Sequence, residues 1–300
     1  MSADRGPIFL GGLSHSGKTQ LRIVLGAHPE ISMTRRTYLW NRYYGRFGDL
    51  ADPRNLERCL SAMLGDPGVQ RLEPDRDRLR REFVGGAPTY ARLFGLLHRH
   101  HAERLGKRRW GDQLGFVERF AEPIFASFPS AKLVHMIRDP RSAYAASAKG
   151  RRRPGAVGWR TAVWLRSAAL AERNSRRYAT GYLVVRYETF ASSPLETARA
   201  VCTFLEEDWH PEMAEALATV AFDPVTQDRA GDAPDVSTAA AFVDRYARRE
   251  LLTFDYPPDE VRLVPRDRLS YLLVERPLNR ATMAAWHVLR GGSPAAKAEG

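Results

Sequence analysis

A glycine-rich loop near the start of the chain constrains the fold more than any other feature of the sequence. The stretch FLGGLSHSGKTQL leads from a short apolar segment, Ile8 to Leu10, through glycines into residues 19–27, which suit a helix. Gly12 to Thr19 fits the pattern G-x-x-x-x-G-K-T, in which backbone N–H groups and a lysine cradle phosphate oxygens. This order predicts a strand, a phosphate cradle and a helix whose N-terminus faces the anion.

Two later apolar segments repeat the arrangement of strand, polar turn and helix. We predict strands over 132–137 and 182–185, and a capped helix start in the sequence Ser193-Pro194-Leu195-Glu196. The region 51–106 is polar and helical in pattern. We therefore expect an α/β fold of three layers, P-loop-like, with a mostly parallel central sheet between helices. It forms one domain over 1–290 with a helical insertion at about 51–106, followed by a disordered tail over 291–300.

Charge and cysteine content limit the partners and the compartment. The formal net charge of +11 favours anionic ligands such as nucleotides and sulfate esters. The basic clusters at 104–110 and 149–154 lack interleaved aromatic residues, so we expect no nucleic-acid partner. Cys59 and Cys202 form neither a metal-binding spacing nor a disulfide framework, which predicts a reduced, cytoplasmic setting. Since no apolar run reaches membrane length, we expect no transmembrane segment.

The residues that follow the second and third predicted strands are candidates for ligand binding, because parallel sheets bind ligands at the carboxyl ends of their strands. Arg138 ends the second strand, and its planar guanidinium suits a second phosphate apart from the glycine loop. The neighbouring Asp139 is the kind of residue with which a kinase would hold magnesium, but Arg138 beside it makes that site less attractive. Tyr187 follows the third strand, either near an adenine or as a core residue.

Three blocks of sequence, in this order and spacing, resemble the sulfotransferases that use 3′-phosphoadenosine 5′-phosphosulfate (PAPS). Residues 8–31 resemble the 5′-phosphosulfate loop and its helix, residues 128–147 the 3′-phosphate segment, and residues 182–209 the strand and helix that follow. WGDQLG at 110–115 stands where that family often has a W-x-E/D-K-T-P-like turn. The resemblance covers about 7–50 and 107–210.

The resemblance implies transfer of a sulfuryl group from PAPS to a hydroxyl of a small-molecule or carbohydrate acceptor, with no metal. Lys18 would stabilise the leaving phosphate, and Asp112 is the preferred general base, with a turn-capping role as the open alternative. His15 is the second candidate base. The implied donor-binding residues are Ser14, His15, Ser16, Gly17, Lys18, Thr19, Gln20, Arg138, Ser147 and Tyr187.

Several positions depart from the family pattern. His15 stands where arginine or lysine is usual, Lys18 where threonine is usual, and Gln113 where the turn has lysine. The serine expected eight residues after Arg138 is Ala146, with Ser147 next. Because of these departures an ATP-dependent small-molecule kinase and a non-catalytic nucleotide-binding protein stay open as alternatives. A homo-oligomer also stays open.

Overall fold

Five parallel strands form the centre of the molecule, which is described here by a computed structural model covering residues 5–147, 154–223, 234–257, 263 and 265–291. The strand order in the sheet is β2-β3-β1-β4-β5. Every pairing is parallel, which confirms the predicted α/β class. The strands are β1 (Ile8–Gly12), β2 (Ile31–Arg35), β3 (Arg109–Gln113), β4 (Lys132–Ile137) and β5 (Tyr182–Arg186).

Helices cover both faces of this sheet. Within the described residues, none of them is long and apolar enough to cross a membrane. A 3₁₀ turn at Val117–Phe120 and a π-helical turn at Tyr271–Glu275 interrupt the series. The α-helices are α1 (Lys18–Ala27), α2 (Leu39–Arg42), α3 (Pro53–Leu64), α4 (Pro67–Gln70), α5 (Arg76–Val84), α6 (Tyr90–Arg104), α7 (Ala121–Ser127), α8 (Pro140–Ser147), α9 (Ala156–Arg177), α10 (Tyr187–Ser192), α11 (Pro194–Leu205), α12 (Pro211–Ala218), α13 (Pro234–Tyr246), α14 (Arg248–Thr253), α15 (Pro265–Ser270) and α16 (Arg276–Gly291).

The apolar run of β1 is explained by burial on both faces of the sheet. Ile8 and Leu10 belong to the core cluster that contains residues of α1, α11 and α12. Phe9 points to the opposite face and belongs to the cluster that contains the apolar residues of α3 and α6. Side chains alternate across a strand, so a strand with two covered faces is continuously apolar.

Strands β2 and β3 are not among the strands predicted from the sequence. β2 alternates Ile31 and Met33 with polar residues, while β3 has the sequence RWGDQ and carries no strand signal. Gly111 sits between Ile8 of β1 and Met33 of β2 in the registers of both pairings. A Cβ atom there would lie 2.4 Å from the Met33 sulfur. The flanking strands, rather than local propensity, therefore make residues 109–113 a strand.

The region 51–106 is helical, and it shares a core with the sheet. Each of the helices α3 to α6 has an N-cap residue whose side chain accepts a hydrogen bond from a backbone N–H of the first turn. These N-cap residues are Asp52, Asp66, Asp75 and Thr89. Their apolar residues, among them Leu60, Phe83 and Phe94, belong to the same buried cluster as Phe9 of β1. The division of the whole chain into domains stays a prediction.

The predicted capping box before α11 does not form. Ser193 occupies the cap position, but its side chain makes no capping hydrogen bond. Its backbone N–H instead donates to the Thr189 carbonyl, 2.9 Å away, because α10 ends directly before it. One residue that closes one helix and opens the next is not free to adopt the extended backbone of an N-cap.

The strand order reverses beside β1, which lies at the middle of the sheet. The chain goes from β1 to β2 and β3 on one side, and then to β4 and β5 on the other. Connections that leave in opposite directions open a crevice at the carboxyl ends of β1 and β4. The glycine loop and Arg138 follow these two strand ends.

Candidate functional site

The loop between β1 and α1 adopts a conformation that requires its glycines. Gly12 and Gly17 have φ of 114° and 88°. A Cβ atom on Gly12 would lie 2.1 Å from the Met136 carbonyl oxygen, and one on Gly17 would lie 2.6 Å from the Tyr187 ring. Any side chain at either position would clash with its neighbour, so both glycines are fixed by backbone conformation and by close packing.

The N-terminus of α1 is open toward the loop. Its cap residue, Gly17, makes no side-chain capping bond, and the first backbone bond of the helix is from Leu21 N–H to the Gly17 carbonyl at 3.2 Å. Uncapped N–H groups at a helix start are an anion site. Among the other predicted donor residues, Ser16 is buried and donates to the Leu13 carbonyl, and Gln20 donates to the Ala221 carbonyl, whereas Ser14, His15 and Thr19 are exposed.

Lys18 turns back under the loop. Its Nζ donates to the carbonyl oxygens of Gly12 and Leu13, both at 2.5 Å. Burial lowers the pKa of the Lys18 ammonium to about 8, and the nearby Glu118 carboxylate opposes that shift. The lysine thus holds a positive charge at neutral pH and binds both loop carbonyls.

Arg138 forms the second cationic group of the crevice. It is buried, and its Nη1 donates to the His15 carbonyl and to the Asp223 carboxylate, both at 2.9 Å. Its buried Nε has no hydrogen-bond partner among the residues that the structure describes. A buried guanidinium with an unpaired N–H is suited to one more anionic oxygen.

Tyr187 supports this guanidinium. The guanidinium carbon lies 4.0 Å from the centre of the Tyr187 ring, and the Tyr187 hydroxyl donates to the Asp223 carbonyl at 3.1 Å. Only 1% of Tyr187 is exposed, since the ring also packs against Gly17. Of its two predicted roles, this position favours the buried support, and a contact with adenine stays a prediction.

Asp112, the preferred general base of the sequence prediction, is buried and hydrogen-bonded in the structure. It is 0% exposed. Its two oxygens accept hydrogen bonds from the hydroxyls of Thr34, at 2.8 Å, and Thr37, at 2.5 Å. His98 Nε2 lies 3.3 Å from the second oxygen and stacks on Trp110. A carboxylate enclosed by these partners favours the structural alternative, because a base must reach the proton that it removes, and the catalytic role of Asp112 stays a prediction.

His15, the second predicted base, lies in the loop between β1 and α1. It is exposed at the crevice, with a left-handed backbone at φ 64°. Burial of part of the ring, followed by the charges of Arg138, Arg160 and Lys18, lowers the pKa of the imidazole, while Asp223 raises it. The ring is therefore neutral at neutral pH and can accept a proton.

A cavity of about 380 Å³ opens beside His15, between the loop and helices α8 and α9. Its walls include the rings of Tyr144, Trp159 and Trp164, together with Arg160 and Ser167. These residues are not predictable from the sequence, because no spacing links them to the loop. Ser147, the predicted contact of the 3′-phosphate, is at the end of α8, and its side chain lies outside the described part of the structure.

Asp139, the carboxylate considered for magnesium, is occupied by protein. Its oxygens accept hydrogen bonds from Nε and Nη2 of Arg141, at 3.0 and 2.7 Å, and from the Arg141 backbone N–H at 2.8 Å. Arg141 also donates to Asp244 of α13 at 2.6 Å, so this pair joins the strand end to a distant helix. Such a role leaves Asp139 unsuited to a metal.

A family profile and solved structures of sulfotransferases match most of this chain. The profile of the sulfotransferase family matches residues 7–211. The sulfotransferase domain of the Synechococcus PCC 7002 olefin synthase is 18% identical, with a TM-score of 0.51 over 88% of this chain and 92% of that one. The sulfotransferase domain from the curacin biosynthetic pathway is 16% identical, with a TM-score of 0.52 over 85% and 99%. A comparison with curated proteins gave no match.

Proposed function

Because the chain belongs to the sulfotransferase family, we propose that it transfers a sulfuryl group from PAPS to a hydroxyl of a small-molecule or carbohydrate acceptor. The observation that carries this proposal is the pair of anion sites at the switch point of the sheet. One is the open N-terminus of α1, and the other is Arg138 with its unpaired Nε. PAPS carries phosphate at both ends of its ribose, and two sites of this kind fit such a donor.

The proposed donor lies across the two strand ends. Its 5′-phosphosulfate occupies the cradle of Ser14 to Gln20, and its 3′-phosphate binds Arg138, where the Asp223 carboxylate lies in the structure. Asp223 is about half exposed, so it can leave the guanidinium when a stronger anion arrives. Ser147 remains our proposed second contact of the 3′-phosphate.

The reaction is an in-line displacement at sulfur. The acceptor oxygen forms a bond to sulfur, the bond from sulfur to the 5′-phosphate oxygen breaks, and the acceptor proton passes to His15 Nδ1 or Nε2. Lys18 and the N-terminus of α1 stabilise the charge that develops on the leaving phosphate. We propose His15 as the base in place of Asp112, since His15 borders the cavity and is neutral.

The cavity beside His15 is the proposed acceptor site. The rings of Tyr144, Trp159 and Trp164 offer flat apolar faces, and the guanidinium of Arg160 lies 5.4 Å from the centre of the Tyr144 ring. Planar side chains pack against an aromatic or a sugar ring, while a few polar groups fix its orientation. We therefore propose an acceptor with a ring next to its hydroxyl group.

We also propose a cytoplasmic location. Cys59 and Cys202 are both buried as free thiols, and burial raises the pKa of Cys59 to about 12 and that of Cys202 to about 11. Unpaired thiols of this kind suit a reducing compartment. A homo-oligomer stays a prediction, and the occupied oxygens of Asp139 disfavour the kinase alternative.

A transfer assay tests the proposed function. Radiolabelled PAPS is incubated with a panel of phenols, ring alcohols and sugars in the presence of EDTA, and labelled products are separated from PAPS. We expect labelled product with the wild type and a large loss with Arg138→Ala. Transfer of phosphate from ATP, dependent on magnesium, together with no transfer from PAPS would contradict the proposal.

A further inference from the structure

A buried carboxylate lies directly beneath the glycine loop and has no role in the reaction described above. Glu118, in the 3₁₀ turn that follows β3, is 0% exposed. Its Oε2 accepts the Gly12 backbone N–H at 3.0 Å. A Cβ atom on Gly11 would lie 3.0 Å from this oxygen, so the glycine pair at the end of β1 leaves room for the carboxylate.

The other oxygen of Glu118 ends a chain of buried hydrogen bonds. Ser167 Oγ donates to Glu118 Oε1 at 2.7 Å, and His135 Nε2 lies 3.0 Å from Ser167 Oγ. His135 Nδ1 lies 2.7 Å from the Tyr182 hydroxyl. Since the serine gives its proton to Glu118, it accepts one from His135 Nε2, and His135 Nδ1 accepts from Tyr182. Each donor in the chain therefore points toward Glu118.

These hydrogen-bonded side chains do not supply a positive charge to balance the Glu118 carboxylate. His135 is the cationic candidate within it, with Nε2 3.4 Å from Glu118 Oε1, but burial lowers the pKa of its imidazole. The ring is neutral at neutral pH, and Ser167 and Tyr182 carry no charge. A fully buried carboxylate without a counter-charge is strongly unfavourable.

Lys18 is the cation that faces Glu118 across the loop. The two side chains bind opposite sides of one residue, Glu118 at the N–H of Gly12 and Lys18 at its carbonyl. Glu118 is also the charged group that favours the ammonium form of Lys18. Both side chains are buried, and charges in a site with little water are weakly screened from each other.

We propose that Glu118 is a positioning residue of the sulfuryl-transfer site, which anchors the loop through Gly12 and supplies the buried counter-charge that keeps Lys18 cationic. The role differs from that of the catalytic groups, because Glu118 touches neither donor nor acceptor and acts through Lys18. The inference rests on the proposed function only in naming the loop as the donor site.

The test measures the titration of Lys18 without any ligand. The chain has five lysines, so NMR of protein carrying ¹³C at lysine Cε resolves few signals, and Lys18→Arg identifies the signal of Lys18. We expect its midpoint in the wild type near the lowered value of about 8. In Glu118→Gln, which keeps the shape but removes the charge, the midpoint falls by about one pH unit or more. An unchanged or higher midpoint would overturn the proposal.

Two further variants separate charge from fold. Glu118→Asp keeps the charge on a shorter side chain, so the Lys18 midpoint should stay within about half a pH unit of the wild type, even where Glu118→Gln does not fold. An equal fall in Glu118→Asp would show that charge is not the cause and would overturn the proposal. Glu122→Gln, an exposed neighbour paired with Arg177, is the matched control and should leave the midpoint unchanged.

Binding of 3′-phosphoadenosine 5′-phosphate (PAP) gives the functional readout. We expect the affinity of Glu118→Gln for PAP to fall about fourfold more at pH 8 than at pH 6.5, because a Lys18 midpoint lowered by about one pH unit leaves less of the ammonium form at pH 8. An equal loss at both pH values would indicate a loosened loop alone and would contradict the counter-charge role. Failure of the wild type to bind PAP would instead contradict the proposed function, and the lysine titration would still decide the role of Glu118.

Discussion

At the scale of single residues, the proposed contact between Arg138 and the 3′-phosphate predicts how the affinity for PAP changes on mutation. Its guanidinium has two acceptors and a supporting ring, and its buried Nε has no partner among the described residues. Arg138→Ala should weaken PAP binding by about 10- to 100-fold, the value of a hydrogen-bonded charge pair. Calorimetry should find that AMP, which lacks the 3′-phosphate, binds the variant within about threefold of the wild type.

Asp223 provides the reciprocal variant. Because its carboxylate competes for the Arg138 guanidinium, Asp223→Asn should bind PAP more tightly than the wild type. Arg199→Ala removes an arginine that stacks on Trp209 on another face, and it should bind PAP as the wild type does. An Arg138→Ala protein with undiminished PAP affinity would rule out the arrangement of two phosphate sites.

His15 makes a prediction about the pH dependence of turnover. Since the pKa of its imidazole is lowered from 6.5, the acid-side fall in turnover should lie below that value, where the ring gains a proton and ceases to be a base. His15→Asn should lower kcat by about 100-fold or more while leaving PAP affinity within about threefold. A full rate in His15→Asn would assign the base elsewhere.

Lys18 makes a prediction about stability. Its pKa in the folded chain, about 8, lies below the ordinary 10.5, so below pH 8 its buried charge carries the full penalty. As pH rises the folded state loses this proton first and the penalty is relieved. Between about pH 7 and pH 9.5 the wild type should therefore gain about 2 kcal/mol of unfolding free energy relative to Lys18→Met. Urea denaturation of both proteins at the two pH values measures this difference, and a constant difference would contradict the lowered pKa.

At the scale of elements, the loop between β1 and α1 depends on backbone conformation. Gly12→Ala places a Cβ atom 2.1 Å from a carbonyl oxygen at φ 114°. It should lower the unfolding free energy by about 2 kcal/mol or more. Gly115→Ala is the matched control, because a Cβ atom there meets nothing within 4 Å, and it should cost less than about 0.5 kcal/mol. Chemical denaturation of both variants compares the two positions.

An element can be predicted from the sequence when its own residues determine its structure, and cannot when neighbouring elements do. β1, β4 and β5 are buried or half-buried apolar runs, and their sequences alone identify them. β3 has glycine and charged residues, and it becomes a strand because β1 and β2 pair on either side. The capping residues Ser193 and Glu196 match a local pattern, but the preceding helix decides the conformation of Ser193.

At the scale of the whole molecule, the sheet order brings together residues that are far apart in the chain. The loop and Arg138 were predictable, since each follows an apolar strand and ligands bind at strand ends. Glu118, Ser167 and Asp223 were not, because their partners lie 49 to 106 residues away in sequence. Asp112 was assigned from its place in a motif, and its enclosure by Thr34 and Thr37 depends on the pairing of β2 with β3.

The most direct test of the central claim is a calorimetric titration of the protein with PAP, set against ADP with magnesium. We expect PAP to bind with a stoichiometry of one and ADP with magnesium to bind far more weakly, because only PAP fills both the α1 N-terminus and Arg138. A preference for ADP with magnesium would contradict the proposed function and favour a kinase that binds ATP through the G-x-x-x-x-G-K-T loop. Binding of neither nucleotide would contradict it as well.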